Sequence, residues 1–295
     1  MEKLKVAILG SGNIGTDLLM KIQRSDVLEV SRFIGKNKES HNLKLAKNMG
    51  IATSSRSIAE LTSCPECCDI VMDSTSANAH VNHAPILKKM GVYTIDLTPS
   101  RIGKACIPLI NGDECLNVGN VNLITCGGQA TVPLAYELSK ICKDVDYIET
   151  VSTIAARSAG KATRENIDEF IETTSDALRS FTGVPNCKSI MIIDSSMPEI
   201  NMRNTIYMRI SECSMEQVVQ TVRAVEKKMR CFVPGYKVVV EPTWLHGILT
   251  VTVEVTGRGD YLPSYSGNLD IITSAAVEMA EQYARRLLER EGWQF

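Results

Sequence analysis

The opening stretch "KLKVAILGSGNIGTDLLMKIQ" restricts the fold of this chain more than any other feature. Its first part is a short, largely apolar, β-branched run of the kind that forms a strand buried on both faces. The residues after it place Ile14, Leu18, Leu19 and Ile22 at helical spacing. Between the two, Gly10, Gly12 and Gly15 read G-x-G-x-x-G, with Ser11, Asn13 and Ile14 inside the loop. The first glycine permits a tight turn, the second lets a pyrophosphate approach the backbone, and the third allows close helix packing. The helix N-terminus favours the anion. The alternative reading is a tight turn and nothing more. The acidic residue that would hold a ribose near the end of the second strand is absent, because "FIGKNKES" offers Lys36 and Lys38 there; the pattern therefore does not favour NAD over NADP.

Further strand-like runs, "LEVSRFIG" at 28–35, "DIVMDST" at 69–75, "VYTIDLT" at 92–98 and "NVNLIT" at 120–125, alternate with helical patterns. This predicts a parallel sheet covered by helices. Beyond Cys126 the texture changes to a helix from about Val132 to Ile141, a strand "YIETVSTIAA" and a long amphipathic stretch "TRENIDEFIETTSDALRSF". Four strand-like runs follow, "KSIMIIDS", "RNTIYMRIS", "YKVVVEPTW" and "GILTVTVEVTG", with the alternation expected of antiparallel pairing; "DIITSAAVEMAEQYARRLLER" closes the chain as a helix. A chain of 295 residues with 44% hydrophobic content can bury a sizeable core, and its length suggests two domains.

With 32 basic against 34 acidic side chains, and no long block of either sign, nucleic acid and anionic membrane surfaces are poor partners and a small-molecule ligand fits better. No run approaches the roughly 18 to 20 apolar residues of a membrane span, and the N-terminus leads into the glycine loop instead of a signal-peptide cleavage site. The expectation is a cytoplasmic protein. Ten cysteines, mostly within apolar stretches, fit a reducing compartment in which each is a small buried hydrophobe. "CPECC" places Cys64, Cys67 and Cys68 at C-x-x-C spacing without a second ligand pair nearby, and His80 and His83 lie three apart with no glutamate to complete a metal motif. No metal is expected.

Cys126 follows an apolar run and precedes Gly127, Gly128 and a helix that carries Pro133 in its first turn. About one turn before such a helix, the thiol would feel the N-terminal dipole, which depresses a thiol pKa. The two glycines would let an electrophile approach and could offer N–H groups to a developing oxyanion. The bare sequence leaves a nucleophile and a buried structural cysteine both open.

Through "SGNIGTDL", "NVNLITCGGQATVPL", "SAGKATRENIDEFIETTS", "MRNTIY" and "GDYLPSYSGNLDIITSAA" nearly the whole chain resembles the acylating acetaldehyde dehydrogenases, CoA-dependent partners of 4-hydroxy-2-oxovalerate aldolase in aromatic hydrocarbon catabolism. The resemblance implies an α/β fold like that of glyceraldehyde-3-phosphate dehydrogenase. An N-terminal Rossmann domain would comprise 1–125 and the returning helix 266–295, and an α+β catalytic and dimerisation domain would comprise 126–265. Cys126 would be the acyl-thioester nucleophile, with Gly127 and Gly128 beside it. Ser11 to Ile14, then Ser158, Ala159, Gly160, Lys161, Ala162, Thr163, Arg164, Glu165 and Asn166, and finally Asn268, would hold the dinucleotide. The implied reactants are a short aldehyde, CoA and NAD, with NADP tolerated, on a homodimer.

Two departures stand out. The family usually reads S-A-G-P-G-T-R where this chain has "SAGKATR", and M-R-D-T where it has "MRNT", so Asn204 replaces a carboxylate suspected of acid-base work. An amide cannot take up a proton. The rivals are a phosphorylating dehydrogenase of the same fold, which needs a histidine partner for the cysteine and finds only His246 in the second half, and a catalytically silent nucleotide-binding sensor or scaffold.

Overall fold

The structure is a computed structural model that describes residues 3–160, 163–164 and 166–290. It divides into two units, Met1–Leu123 with Thr273–Phe295, and Ile124–Ile272.

In the first unit, β1 (Leu4–Leu9), β2 (Leu28–Ile34), β3 (Thr53–Ser54), β4 (Ile70–Asp73), β5 (Tyr93–Asp96), β6 (Lys104–Ala105) and β7 (Asn120–Asn122) form one parallel sheet in the order β3-β2-β1-β4-β5-β7-β6. Helices α1 (Asn13–Ile22), α2 (His41–Asn48), α3 (Ile58–Thr62), α4 (Ala77–Met90) and α5 (Pro108–Cys115) connect the strands. Val6, Ala7, Ile8 and Leu9 are all buried, as the continuous apolar run requires of a strand covered on both faces. β1 pairs with β2 on one side and β4 on the other, so the strand order reverses there. In such sheets the crevice outside the strands' carboxyl ends at the reversal is where a nucleotide binds.

In the second unit, α6 (Cys126–Ile141) leads to β8 (Tyr147–Ala155), α7 (Ile167–Thr182), β9 (Cys187–Asp194), β10 (Met202–Arg209), α8 (Met215–Met229), β11 (Tyr236–Leu245) and β12 (Ile248–Val255), with sheet order β11-β12-β10-β8-β9. Pairing is antiparallel except between β8 and β9. That exception corrects the sequence expectation: α7 carries the chain back over the sheet, so β9 enters in the direction of β8. Alternating burial along β8 and β10 sends one row of side chains toward the helices, and the Tyr236 hydroxyl donates to the Ala130 carbonyl of α6 at 2.8 Å.

The last helix, α9 (Gly267–Arg290), begins in the second unit and ends in the first. Within the first unit the Thr273 hydroxyl donates to Asp17 Oδ2 at 2.6 Å, the Ser25 hydroxyl donates to Glu281 at 2.6 Å, and Tyr93 and Tyr283 stack with centroids 4.0 Å apart. Ala276, Met279, Ala280 and Ala284 are fully buried. No helix among the described residues is long and apolar enough to cross a membrane.

Candidate active site

Gly10 has φ +120°, and a Cβ there would stand 2.6 Å from Ser74 Oγ; at Gly15 a Cβ would lie 1.8 Å from the Gly10 carbonyl oxygen. The turn from β1 into α1 therefore closes only without side chains at these two points. A Cβ on Gly12 would meet nothing within 4 Å, which leaves the helix N-terminus open to an anion. Gly10, Ser11 and Gly12 line a cleft of about 310 Å³ that Lys36 and His83 also border. Asn13 is exposed, Ile14 half-buried, and Lys38 exposed outside the cleft lining.

Cys126 is itself the first residue of α6, which starts six residues earlier than the sequence suggests. Thr125 caps the helix, its Oγ1 accepting from the Gly128 N–H at 2.9 Å. The Thr125 hydroxyl then meets Thr174 Oγ1 at 2.7 Å, and Thr174 donates to the Phe170 carbonyl at 2.8 Å, so the cap is tied to α7 through two buried hydroxyls. Ile124 has φ +63°. A β-branched residue in this region is strained, and such strain collects where a structure over-determines a functional turn.

The Cys126 side chain is half-buried. Desolvation pushes its thiol up to about 12, against the opposing pull of the Gly127 N–H and its own N–H. Burial thus opposes the depressed thiol expected from the helix position and favours the neutral S–H. A Cβ on Gly127 would stand 2.7 Å from the Phe170 ring and 2.8 Å from Ser152 Oγ; one on Gly128 would lie 3.0 Å from Ile124 Cγ2. With the Gly128 N–H taken by the cap, the N–H groups of Cys126 and Gly127 are the ones that favour the thiolate against burial.

Asn204 lies on β10, fully buried, directly opposite Ser152 on β8 and Val253 on β12. Neither atom of its amide, nor Ser152 Oγ, has a hydrogen-bond partner among the described residues.

Residues 126–263 match a family model described as prokaryotic acetaldehyde dehydrogenase, dimerisation, and residues 5–110 match one described as semialdehyde dehydrogenase, NAD binding domain. Acetaldehyde dehydrogenase from Geobacillus stearothermophilus is 46% identical over 290 residues, covering 98% of each chain. The chain belongs to the acetaldehyde dehydrogenase family. The Spirochaeta aurantia acetaldehyde dehydrogenase is 43% identical over 98% of this chain and 97% of its own. Among solved structures, aspartate semialdehyde dehydrogenase II from Vibrio cholerae shares the fold at 12% identity, with a TM-score of 0.68 over 99% of this chain and 100% of that one.

Measured against this family, the loop after β8 is partly outside the described residues, which omit Lys161, Ala162 and Glu165. Ser158 is buried and donates to the Ala155 carbonyl at 2.8 Å; Ala159 is buried and Gly160 exposed. Arg164 donates to the carbonyls of Ala159 and Ala156 at 3.0 and 2.9 Å, folding the loop on itself beside Thr163, and Asn166 precedes α7. Asn268, second residue of α9, is buried with its Oδ1 unpartnered among the described residues.

Sequence reasoning missed Asp73. His80 and His83 both direct Nδ1 at its Oδ2, at 2.9 and 2.8 Å, so the histidines serve a buried carboxylate at the end of β4. Burial opposes the Asp73 charge, but donation from His80, His83 and Thr75 outweighs it and holds the carboxyl below its usual range. Cys67 and Cys68 pack with Leu61, Val71 and Leu87, and burial pushes the Cys68 thiol up to about 12, as for a core thiol. His246 is exposed at the tip of the β11–β12 hairpin with φ +50°.

Proposed function

We propose that this chain is a CoA-acylating aldehyde dehydrogenase in which Cys126 carries the acyl group. The observation that supports it most is the placement of Cys126 as first residue of α6, on a turn that Thr125 caps and Ile124 strains, in a chain of the acetaldehyde dehydrogenase family. The first unit would be the dinucleotide-binding domain and the second the catalytic and dimerisation domain.

The Cys126 sulfur adds to the carbonyl carbon of a short aldehyde while the thiol proton passes to the carbonyl oxygen, giving a hemithioacetal. Bound NAD, with NADP tolerated, supplies a hydride acceptor for that carbon. Loss of hydride and of the hydroxyl proton leaves an acyl thioester on Cys126. The CoA thiol attacks the thioester carbon, its proton goes to the departing Cys126 sulfur, and acyl-CoA leaves. The N–H groups of Cys126 and Gly127 favour the anionic form of the sulfur as each bond to carbon breaks. Ser158 to Asn166 and Asn268 would contact the dinucleotide, and Asn204 would orient the attacking thiol.

A homodimer would cover the outer sheet face, where Ile192 and Val240 are 45% and 47% exposed. A 4-hydroxy-2-oxovalerate aldolase partner and a cytoplasmic setting belong to the same reading. The exposed hairpin position of His246 favours CoA over phosphate as acceptor, since phosphorylating relatives need a histidine at the thiol.

The test mixes purified protein with NAD or NADP, CoA and aldehydes of increasing length, followed at the nicotinamide absorbance. CoA-dependent reduction that vanishes in Cys126→Ala while nucleotide still binds supports the reading; phosphate replacing CoA, or full activity of that variant, refutes it.

A further inference from the structure

At the opposite end of α6 from Cys126, two elements of the second unit meet. Helix α6 stops at Cys142, whose N–H donates to the Leu138 carbonyl at 3.0 Å, and α8 is entered through Cys213 and the capping Ser214. The chain between these ends is pinned as a short antiparallel ladder. Lys143 pairs with Glu212, the Lys143 N–H donates to the Glu212 carbonyl at 3.0 Å, and the Ser211 N–H donates to the Lys143 carbonyl at 3.1 Å. Side chains repeat the link: Lys143 Nζ meets Glu212 Oε2 at 2.7 Å, and the Ser211 hydroxyl donates to Asp144 Oδ2 at 2.7 Å.

One step along that register, Cys142 faces Cys213. Residues directly opposite on antiparallel strands have Cα atoms about 4.5 to 5.5 Å apart. A disulfide needs about 4.4 to 6.8 Å, so the backbone already suits one. A side-chain hydrogen bond joins the two thiols, and Cys213 Sγ also lies 3.8 Å from Met215 Sδ. Cys142 is buried and Cys213 half-buried, so one thiol is open to a reagent and the other stands behind it. The other close pairs lack this arrangement. Cys106 and Cys115 share a hydrogen bond but are both fully buried, and Cys64 and Cys67 lie within one turn, where a bond would tie no element to another.

We propose that Cys142 and Cys213 form a redox modification site, a dithiol that a low-molecular-weight disulfide oxidises to an intramolecular disulfide. The Cys213 thiolate attacks one sulfur of the reagent and expels a first thiolate; the Cys142 thiolate then attacks the Cys213 sulfur and expels the second. The protein gives up two protons and two electrons, and the reagent leaves as two thiols. Burial holds both thiols above their ordinary value, Cys142 up to about 11, so exchange is slow at neutral pH and quickens in mild alkali. The bond closes residues 142–213 into one loop that contains β8, α7, β9 and β10, and it fastens the far end of the helix that Cys126 begins. The site is independent of the acyl-transfer reading.

Incubation of the full chain with oxidised glutathione at mildly alkaline pH, followed by alkylation and peptide mapping by mass spectrometry, tests it. The expected product is a pair of peptides joined through Cys142 and Cys213, formed faster as pH rises. The melting temperature should rise by about 5 °C or more, and dithiothreitol should return it to its starting value. Cys213→Ser should abolish both the joined peptides and the rise, while its own melting temperature before oxidation stays close to the parent's, since serine keeps the shape at a half-buried position. The joined peptides of the parent decide the matter whether or not that variant folds. Full alkylation of both cysteines after incubation, a glutathione adduct that persists on Cys213, or a bond between other cysteines overturns the proposal. Joined peptides without a rise in melting temperature overturn the fastening of α6 and leave the modification site standing.

Discussion

Gly127 and Ser152 approach so closely that a single added carbon has no room: a Cβ on Gly127 would stand 2.8 Å from Ser152 Oγ, with the Phe170 ring at 2.7 Å. Gly127→Ala must displace the Ser152 hydroxyl and the edge of the Phe170 ring beside Cys126. A displacement of about 1 Å at a reacting group can cost on the order of 100-fold in rate. The variant is expected to lose about that much in kcat and about 1–3 kcal/mol in stability from overpacking. Steady-state kinetics with a denaturant titration check both.

Thiol reactivity gives a second expectation. The Cys126 thiol is pushed up to about 12 by burial, so the thiolate fraction is small at neutral pH and grows with pH. Alkylation of Cys126 by iodoacetamide should therefore rise by about tenfold per pH unit through the range where a free thiol, near pH 8.5, would begin to plateau. A plateau below pH 9 would show that the helix terminus outweighs burial.

Asn204→Asp would place a carboxylate in a fully buried position, opposite Ser152 and without a partner for either side-chain atom among the described residues. General-base help is commonly worth about 10² to 10⁴ in rate, so acyl transfer to CoA should accelerate. Desolvation raises a buried carboxyl, so the new acidic limb of the pH–rate profile should fall above the usual carboxylate range. Single-turnover acyl transfer measured against pH decides; no gain and no limb would make Asn204 structural.

Asp73 anchors the first unit through two imidazoles. Its folded carboxyl lies below its unfolded value, so the stabilisation is present above about pH 4 and is lost as pH falls toward the folded value. Asp73→Asn removes the charge that His80 and His83 share, and breaking a buried pair of this type costs about 3–5 kcal/mol. Denaturant melts at pH 7 should show that loss, and the variant's stability should be flatter than the parent's between pH 5 and 3.

Local pattern carried much of this fold. The apolar run at Leu4–Leu9, the glycine loop and the helix at Asn13–Ile22 follow from periodicity over short windows. The start of α6 did not, because Gly127 and Gly128 are poor helix formers and Pro133 imitates a first-turn proline while sitting inside the helix. Its true signal is Thr125, three residues before the N–H it caps. The direction of β9 is not encoded by alternation, which records the faces of a strand and not its partner. Nor could spacing join Thr125 to Thr174 or His83 to Asp73, whose contacts exist only once the elements pack.

The placement of α9 bears on the order in which this protein takes shape on the ribosome. The first unit has its last strand by Asn122, yet the buried row Ala276, Met279, Ala280 and Ala284 is translated only after the whole second unit. Ile124–Ile272 is complete before that stretch emerges, so the unit encoded first is the one finished last. During elongation the parallel sheet must wait with one apolar flank uncovered. A message truncated before Thr273 would then release a chain whose second half can close and whose first half cannot.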